Sequence, residues 1–183
     1  VTLWLVRHAT PLIEPGVCYG ALDVPADPAA TERTAQALAQ VLPQGIVVAS
    51  SVLQRCELLA QVLHGLRPDL AYKPEPRLVE MNFGQWEGQP WDAIGQSALQ
   101  AWTDDFAHYR AGGGESVHAF MQRVAAVWDE TRDQTQDVVW ITHAGVIRAC
   151  SLLAQGVRSV AQASDWPLAA PGYGEWVCQP GVG

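Results

Sequence analysis

Three short runs of apolar, largely β-branched residues, Val1–Val6, Ile46–Ala49 and Val138–Ile141, set the strongest limit on how this 183-residue chain can fold. Within each run the apolar residues follow one another almost unbroken instead of alternating with polar ones. That pattern fits strands buried on both faces of a parallel sheet, because a sheet with one wet face alternates. Helical periodicity fills the intervals. Ala35, Leu38 and Leu42 share one side of Thr31–Leu42, and Val52, Cys56, Leu59, Ala60 and Leu63 form one stripe of Val52–Leu63. Val117, Phe120, Val124, Val127 and Trp128 do the same in Ser116–Arg132, and Gly145–Ala154 reads as a further apolar helix followed by Gly156.

Strands alternating with helices predict an α/β fold, a three-layer α/β/α sandwich with a mostly parallel central sheet. Pro11, Pro15, Pro25, Pro28, Pro74, Pro76 and Pro90 mark connecting loops. No repeat, linker or low-complexity tract interrupts the pattern, so residues 1–183 read as a single domain. Hydrophobic residues at 49% against 16% charged supply a substantial core and argue against disorder. The longest apolar runs are about six residues, far short of the roughly 20 that cross a membrane. The chain enters an apolar segment with neither a basic leader region nor a small-residue cleavage site, and the expected setting is soluble and cytoplasmic.

In a doubly wound sheet ligands bind beyond the carboxyl ends of the strands, so the residues after each apolar run matter most. The first run ends in Arg7-His8-Ala9-Thr10. The second ends in Ser50-Ser51, with Arg55 one turn into the next helix. The third ends in Thr142-His143-Ala144-Gly145, with Arg148 close behind. One crevice would thus receive two of the five histidines together with at least two arginines.

Phosphoryl transfer is the chemistry that asks for this set. A phosphate monoester carries nearly two negative charges, and arginine meets them with a planar cationic fork that does not titrate. A neutral imidazole attacks phosphorus in line and forms a phosphohistidine. A second imidazole, kept cationic by the dianion, stabilises charge on the equatorial oxygens. The leaving alkoxide needs a proton, and Glu80, between Val79 and Met81 and ahead of Gly84 and Gly88, is the best-placed donor. An apolar setting and a facing dianion favour its protonated form.

The motifs together resemble the histidine phosphatase superfamily, the group that includes the cofactor-dependent phosphoglycerate mutases. They are Arg7-His8-Ala9-Thr10, Ser51-Val52-Leu53-Gln54-Arg55, the stretch Glu80 to Gly88 with its Phe-Gly-Gln-Trp-Glu-Gly core, and Thr142-His143-Ala144-Gly145-Val146-Ile147-Arg148. The resemblance implies a phosphoglycerate mutase-like fold, His8 as nucleophile, and Arg7, Arg55 and His143 as phosphate ligands. Glu80 is then proton donor and later base for the hydrolytic water. Thr10 and Ala144 join the expected substrate-binding set through the motifs that contain them.

Finer features look like the α-ribazole phosphatases of cobalamin assembly: Gly16 to Pro25, the Phe-Gly-x-Trp-Glu-Gly stretch, and Gly113-Gly114-Glu115-Ser116 opening a helix. Such enzymes remove the 5′-phosphate of α-ribazole phosphate or of the corresponding cobalamin phosphate. A broad-specificity phosphatase, a mutase and a non-catalytic phosphate-binding module are the alternatives. Ala9, Thr34 and Val52 depart from the family pattern without removing a reacting group.

A net charge of −8 argues against nucleic acid and anionic membranes as partners, since both need a basic surface. It leaves a small-molecule phosphate monoester open, because converging arginines reverse the potential locally. Cys18, Cys56, Cys150 and Cys178 are scattered without a CxxC pair and read as reduced thiols. His64, His108 and His118 fall away from strand ends with no HExxH spacing, so they are expected at the surface. Neither a metal nor a cofactor is expected. Gly112–Gly114 fits no phosphate-loop spacing and reads as a flexible entry to a helix. Of the eight tryptophans, Trp4, Trp128 and Trp140 fall on apolar faces. Trp86, Trp91 and Trp102 have two readings, an aromatic wall for a flat base or packing of a helix on the sheet.

Overall fold

Strands β1 (Leu3–Arg7), β2 (Val47–Ser50), β3 (Ala71–Pro74), β4 (Val138–Thr142) and β5 (Trp176–Gln179) form one sheet in the spatial order β3-β2-β4-β1-β5. The computed structural model describes residues 1–182. β1 and β2 both run parallel to β4, and β3 runs parallel to β2, while β5 is antiparallel to β1. Each crossover carries helices, among them α1 (Pro28–Val41), α2 (Gln54–Leu66), α5 (Val117–Arg132) and α6 (Ala144–Leu153). The short α3 (Trp91–Ile94) and α4 (Gln96–Asp104) lie between β3 and α5. This is the expected α/β fold with a mostly parallel sheet flanked by helices.

The unbroken apolar runs are divided between two cores. Leu3, Leu5, Val138 and Trp140 pack with α5 and α6, whereas Val6, Val48, Val139 and Ile141 pack with α1 and α2. Alternate side chains of one strand thus serve opposite layers. The apolar stripe of α5 is buried throughout, with Val117, Phe120, Val124, Val127 and Trp128 all inside. Trp128 and Trp140 are core residues; Trp4 is half-buried against the α1–α2 side.

Several boundaries differ from the sequence reading. α1 begins three residues earlier than Thr31, because Asp27 caps it by accepting from Ala30 N at 2.8 Å and Pro28 opens its first turn. Pro28 is therefore helical and not a loop residue; it lacks the N–H that a first-turn position leaves unused. Val52 precedes α2 and is 37% exposed, so it does not belong to the buried stripe. The amide that opens α2, Gln54 N, donates to Asp23 Oδ1 at 2.7 Å. β3 and β5 lie outside the three apolar runs: all four residues of β3 are exposed, and β5 is exposed at two of its four. Both are edge strands, and β3 tolerates Pro74 at its end for that reason. Among the described residues no helix is long and apolar enough to cross a membrane.

Candidate active site

The parallel pairing of β1 with β4 runs through Arg7 opposite Thr142, so His8 and His143 leave the sheet side by side. His8 N still donates to Thr142 O at 3.2 Å, and the two imidazole centroids stand 5.3 Å apart. Neighbouring strands lie about 4.8 Å apart, so the sheet itself spaces these rings. β2 ends level with them: Ser51 N donates to Ile141 O at 2.9 Å, and Ser51 Oγ lies 2.8 Å from His143 Nε2. Cys56 from α2 packs beneath, its Sγ 3.5 Å from the same nitrogen.

Arg55, in the first turn of α2, is fully buried. Its Nη1 donates to Leu22 O at 2.7 Å and its Nη2 to Gly20 O at 2.6 Å. Arg7 donates from Nη1 to Pro171 O at 3.0 Å. Neither arginine has a carboxylate partner among the described residues. Their charge is consequently available to an anion.

Burial and then the Arg55 charge push His8 down to about 3, with Arg7 contributing in the same direction and the Ala9 hydrogen bond opposing. His8 is a neutral imidazole near pH 7. Its Nδ1 lies 2.7 Å from Ala9 O, which can only accept, so Nδ1 carries the hydrogen and Nε2 keeps its lone pair. His143 is also held well below the ordinary histidine range, first by burial, then by Arg55 and His8.

Glu80 meets α6 head-on. Its Oε2 accepts from Gly145 N at 2.9 Å and its Oε1 from Met81 N at 3.1 Å. A Cβ at position 145 would run into the Glu80 carboxylate, so glycine there lets that carboxylate stand where it does. The backbone leading into Glu80 is gripped from α5, where Arg123 Nη1 donates to Arg77 O at 2.7 Å and to Val79 O at 2.8 Å. Glu115 holds Arg123 in turn through a 2.9 Å ion pair, and Glu115 N donates to Asn82 O at 2.8 Å.

The triple glycine completes this brace. Cβ atoms at Gly112 and Gly114 would run into the backbone oxygens of Phe83 and Asn82, so the two loops pack backbone on backbone. Gly112 and Gly114 are therefore packing positions, while Gly113 faces open space and the segment leads into α5 through the Ser116 cap.

A cavity of about 370 Å³ opens over these groups. Arg7, His8, Arg55, Glu80, Ala144 and Gly145 line it, together with Arg148. Phe83, Trp102, Phe106, Phe120 and Trp166 also line it, with Met81 and Val117. Thr10 is exposed and does not line it; its carbonyl instead accepts from Asp27 N at 2.8 Å, at the cap of α1. The three tryptophans divide between their two readings. Trp86 is buried and Trp91 packs on it edge-on, whereas Trp102 lines the cavity, stacked on Phe106 at 5.6 Å.

Two tyrosines that sequence reasoning did not single out also line the cavity. Tyr173 lies over the Arg7 guanidinium at 4.2 Å, Tyr19 over that of Arg55 at 5.2 Å, and their hydroxyls are 3.1 Å apart. Tyr173 belongs to the last loop, where no motif points to it. Trp102 is one of the tryptophans that the sequence singles out, whereas Phe120 and Trp166 reach the cavity from other segments. His64 and His108 are exposed and His118 half-buried, with the rings of His108 and His118 5.1 Å apart. No group of three or more potential metal ligands occurs among the described residues.

Residues 3–170 match the model of the histidine phosphatase superfamily, branch 1. No curated protein matches the chain. Among solved structures, a mycobacterial glucosyl-3-phosphoglycerate phosphatase is 26% identical, covering 97% of this chain and 88% of its own, with a TM-score of 0.77. A Thermus thermophilus protein is 28% identical over 98% of this chain and 94% of its own, with a TM-score of 0.71. A structure described as a mycobacterial hydrolase, at 24% identity, covers 100% of this chain and 84% of its own with a TM-score of 0.79, a likeness of fold.

Proposed function

The chain belongs to the histidine phosphatase superfamily, and on that premise we propose that it is a phosphomonoesterase that carries the phosphoryl group transiently on His8. The observation behind this reading is the neutral His8 imidazole with a free Nε2, set in one cavity with Arg7, Arg55 and Glu80 and packed against His143.

His8 Nε2 attacks phosphorus while Arg7 and Arg55 hold the equatorial oxygens. The P–O bond to the leaving group breaks, and Glu80 delivers its proton to the departing oxygen. Water then attacks the phosphohistidine and gives a proton to the Glu80 carboxylate. The P–N bond breaks, inorganic phosphate leaves, and His8 is neutral again. A bound dianion opposes the burial and positive charges that keep His143 neutral, and so lets that imidazole take up a proton and stabilise the transferring group.

The substrate we propose is α-ribazole 5′-phosphate or adenosylcobalamin 5′-phosphate. The Gly16–Pro25 and Phe-Gly-x-Trp-Glu-Gly features support it, and so does the aromatic lining, which suits a flat base such as dimethylbenzimidazole. Arg148 favours a second reading. It lines the same cavity with no carboxylate partner among the described residues, and so suits a monoester bearing an additional anionic group.

The test is kcat/KM for α-ribazole 5′-phosphate beside p-nitrophenyl phosphate and 3-phosphoglycerate, with His8→Ala as blank. A strong preference for the ribazole ester supports the first reading, and a preference for 3-phosphoglycerate the second. No phosphate release from any of the three removes the hydrolase reading and leaves a binding module.

A further inference from the structure

Glu87 has no cationic partner among the described residues, yet its carboxylate is fully engaged. Oε2 accepts from Gly20 N at 2.8 Å and Leu22 N at 3.4 Å; Oε1 accepts from Ala21 N at 2.9 Å and Phe83 N at 3.0 Å. Three of these donors belong to the loop whose carbonyls receive Arg55. The fourth lies three residues after Glu80. One side chain therefore ties the loop that aims the buried guanidinium to the loop that carries the acid.

The connection to Arg55 is closer than shared neighbourhood. The Gly20–Ala21 peptide offers its N–H to Glu87 Oε1 and its C=O to Arg55 Nη2, at 2.9 and 2.6 Å. A single planar group thus stands between carboxylate and guanidinium, with its dipole pointing from one to the other. A peptide polarised at its N–H presents a more negative oxygen, so the two hydrogen bonds reinforce one another. The surrounding backbone holds the arrangement: Cys18 N donates to Gln89 O and Gly88 N to Cys18 O, both at 2.8 Å.

We propose that Glu87 is a positioning residue that orients Arg55 through the Gly20–Ala21 peptide, an inference that takes its functional meaning from Arg55 as a phosphate ligand. A neutral amide at this position keeps the shape but halves the acceptor oxygens and removes the charge. Glu87→Gln then leaves the Gly20 and Leu22 carbonyls free to drift, and with them the guanidinium.

The experiment compares wild type, Glu87→Gln, Arg55→Lys and the double variant, with Glu87→Asp as a milder change should Glu87→Gln not fold. Orthovanadate inhibition is expected to weaken about 10- to 100-fold in Glu87→Gln, as for a misplaced binding group. The loss in kcat/KM should be equal for aryl and alkyl phosphates, since it acts on the phosphate and not on the leaving group. In the Arg55→Lys background the same substitution should change either quantity less than about twofold, because the group it acts through is gone.

A second readout is independent of turnover. Hindered rotation of the Arg55 guanidinium, seen as resolved side-chain N–H resonances that vanish in Arg55→Lys, should be present in wild type and collapse in Glu87→Gln. Retention of those resonances overturns the proposal, as does an undiminished Glu87→Gln effect in the Arg55→Lys background. If the resonances behave as expected and no variant hydrolyses phosphate or binds vanadate, the positioning role stands and the phosphatase reading falls.

Discussion

His8 and His143 stand at adjacent ends of paired strands and are 2% and 1% exposed, whereas Trp102, Phe106 and Trp166 reach the same cavity from α4, the turn after it and the loop between α6 and β5. The first group is spaced by backbone hydrogen bonds that no side-chain change reaches. The second is held by ring contacts, such as the 5.6 Å stack of Trp102 on Phe106. A ladder sets the spacing of its strands by backbone hydrogen bonds; stacked rings on short elements depend on side-chain packing. On the proposed mechanism, the contrast would leave the reaction to the sheet and the choice of leaving group to the loops.

The largest test of that division is His8→Ala. Turnover should fall by about 10⁴-fold or more, with far-UV circular dichroism unchanged. Appreciable residual activity would move the chemistry off the strand ends altogether. Glu80→Gln comes next, because Glu80 sits at the junction of the two regions. It should lower kcat about 10²- to 10³-fold for alkyl phosphates and much less for p-nitrophenyl phosphate, whose oxygen leaves without a proton. Equal losses on both would take the acid role away from Glu80.

Acid titration of stability separates the regions without any substrate. His8 is held down to about 3 and His143 is also lowered, each first by burial, while the unfolded chain titrates near 6.5. As the pH falls below about 6.5 the unfolded state takes up protons that the folded state refuses. The stability is thus full above that pH and erodes toward pH 3, by about 1.4 kcal/mol per pH unit for His8, with His143 acting in the same direction. Urea unfolding should show a shallower slope for His8→Asn and the wild-type slope for Trp102→Ala; a reversed pattern breaks the comparison.

Trp102→Ala should in turn raise KM about threefold to tenfold for a monoester with a flat aromatic leaving group, with glycerol phosphate unaffected. EDTA should change neither reaction, and inhibition by it would require a metal in the mechanism.

The strand ends were legible because each follows an unbroken apolar run, and a run of that kind has few places to go but the middle of a sheet. β3 and β5 were not, since an edge strand with water on one side needs no such run, as Ala71-Tyr72-Lys73-Pro74 illustrates. Pro28 and Val52 misled for local reasons, a helix cap from Asp27 and an α2 that begins after Leu53. Thr10 shares a motif with His8 and yet faces away, because one more residue turns the chain toward the cap of α1. Tyr19 and Glu87 lie inside quoted motifs and Tyr173 in none, but the contacts of all three join segments far apart in sequence, and no spacing encodes those contacts. The tryptophans were ambiguous in principle: Trp86 and Trp102 differ in what covers them, which is a property of the folded chain.

β1 has one further consequence. It comes first among the strands in chain order, yet its partners begin at Val138 on one side and Trp176 on the other. A ribosome delivers Leu3 to Arg7 long before either partner exists, and contacts so distant in sequence form slowly. Between the making of β1 and that of β4 the chain therefore holds an inner strand with both edges bare and the imidazole of His8 without its companion. The proposed nucleophile waits for a strand far downstream before the imidazole of His143 can stand beside it.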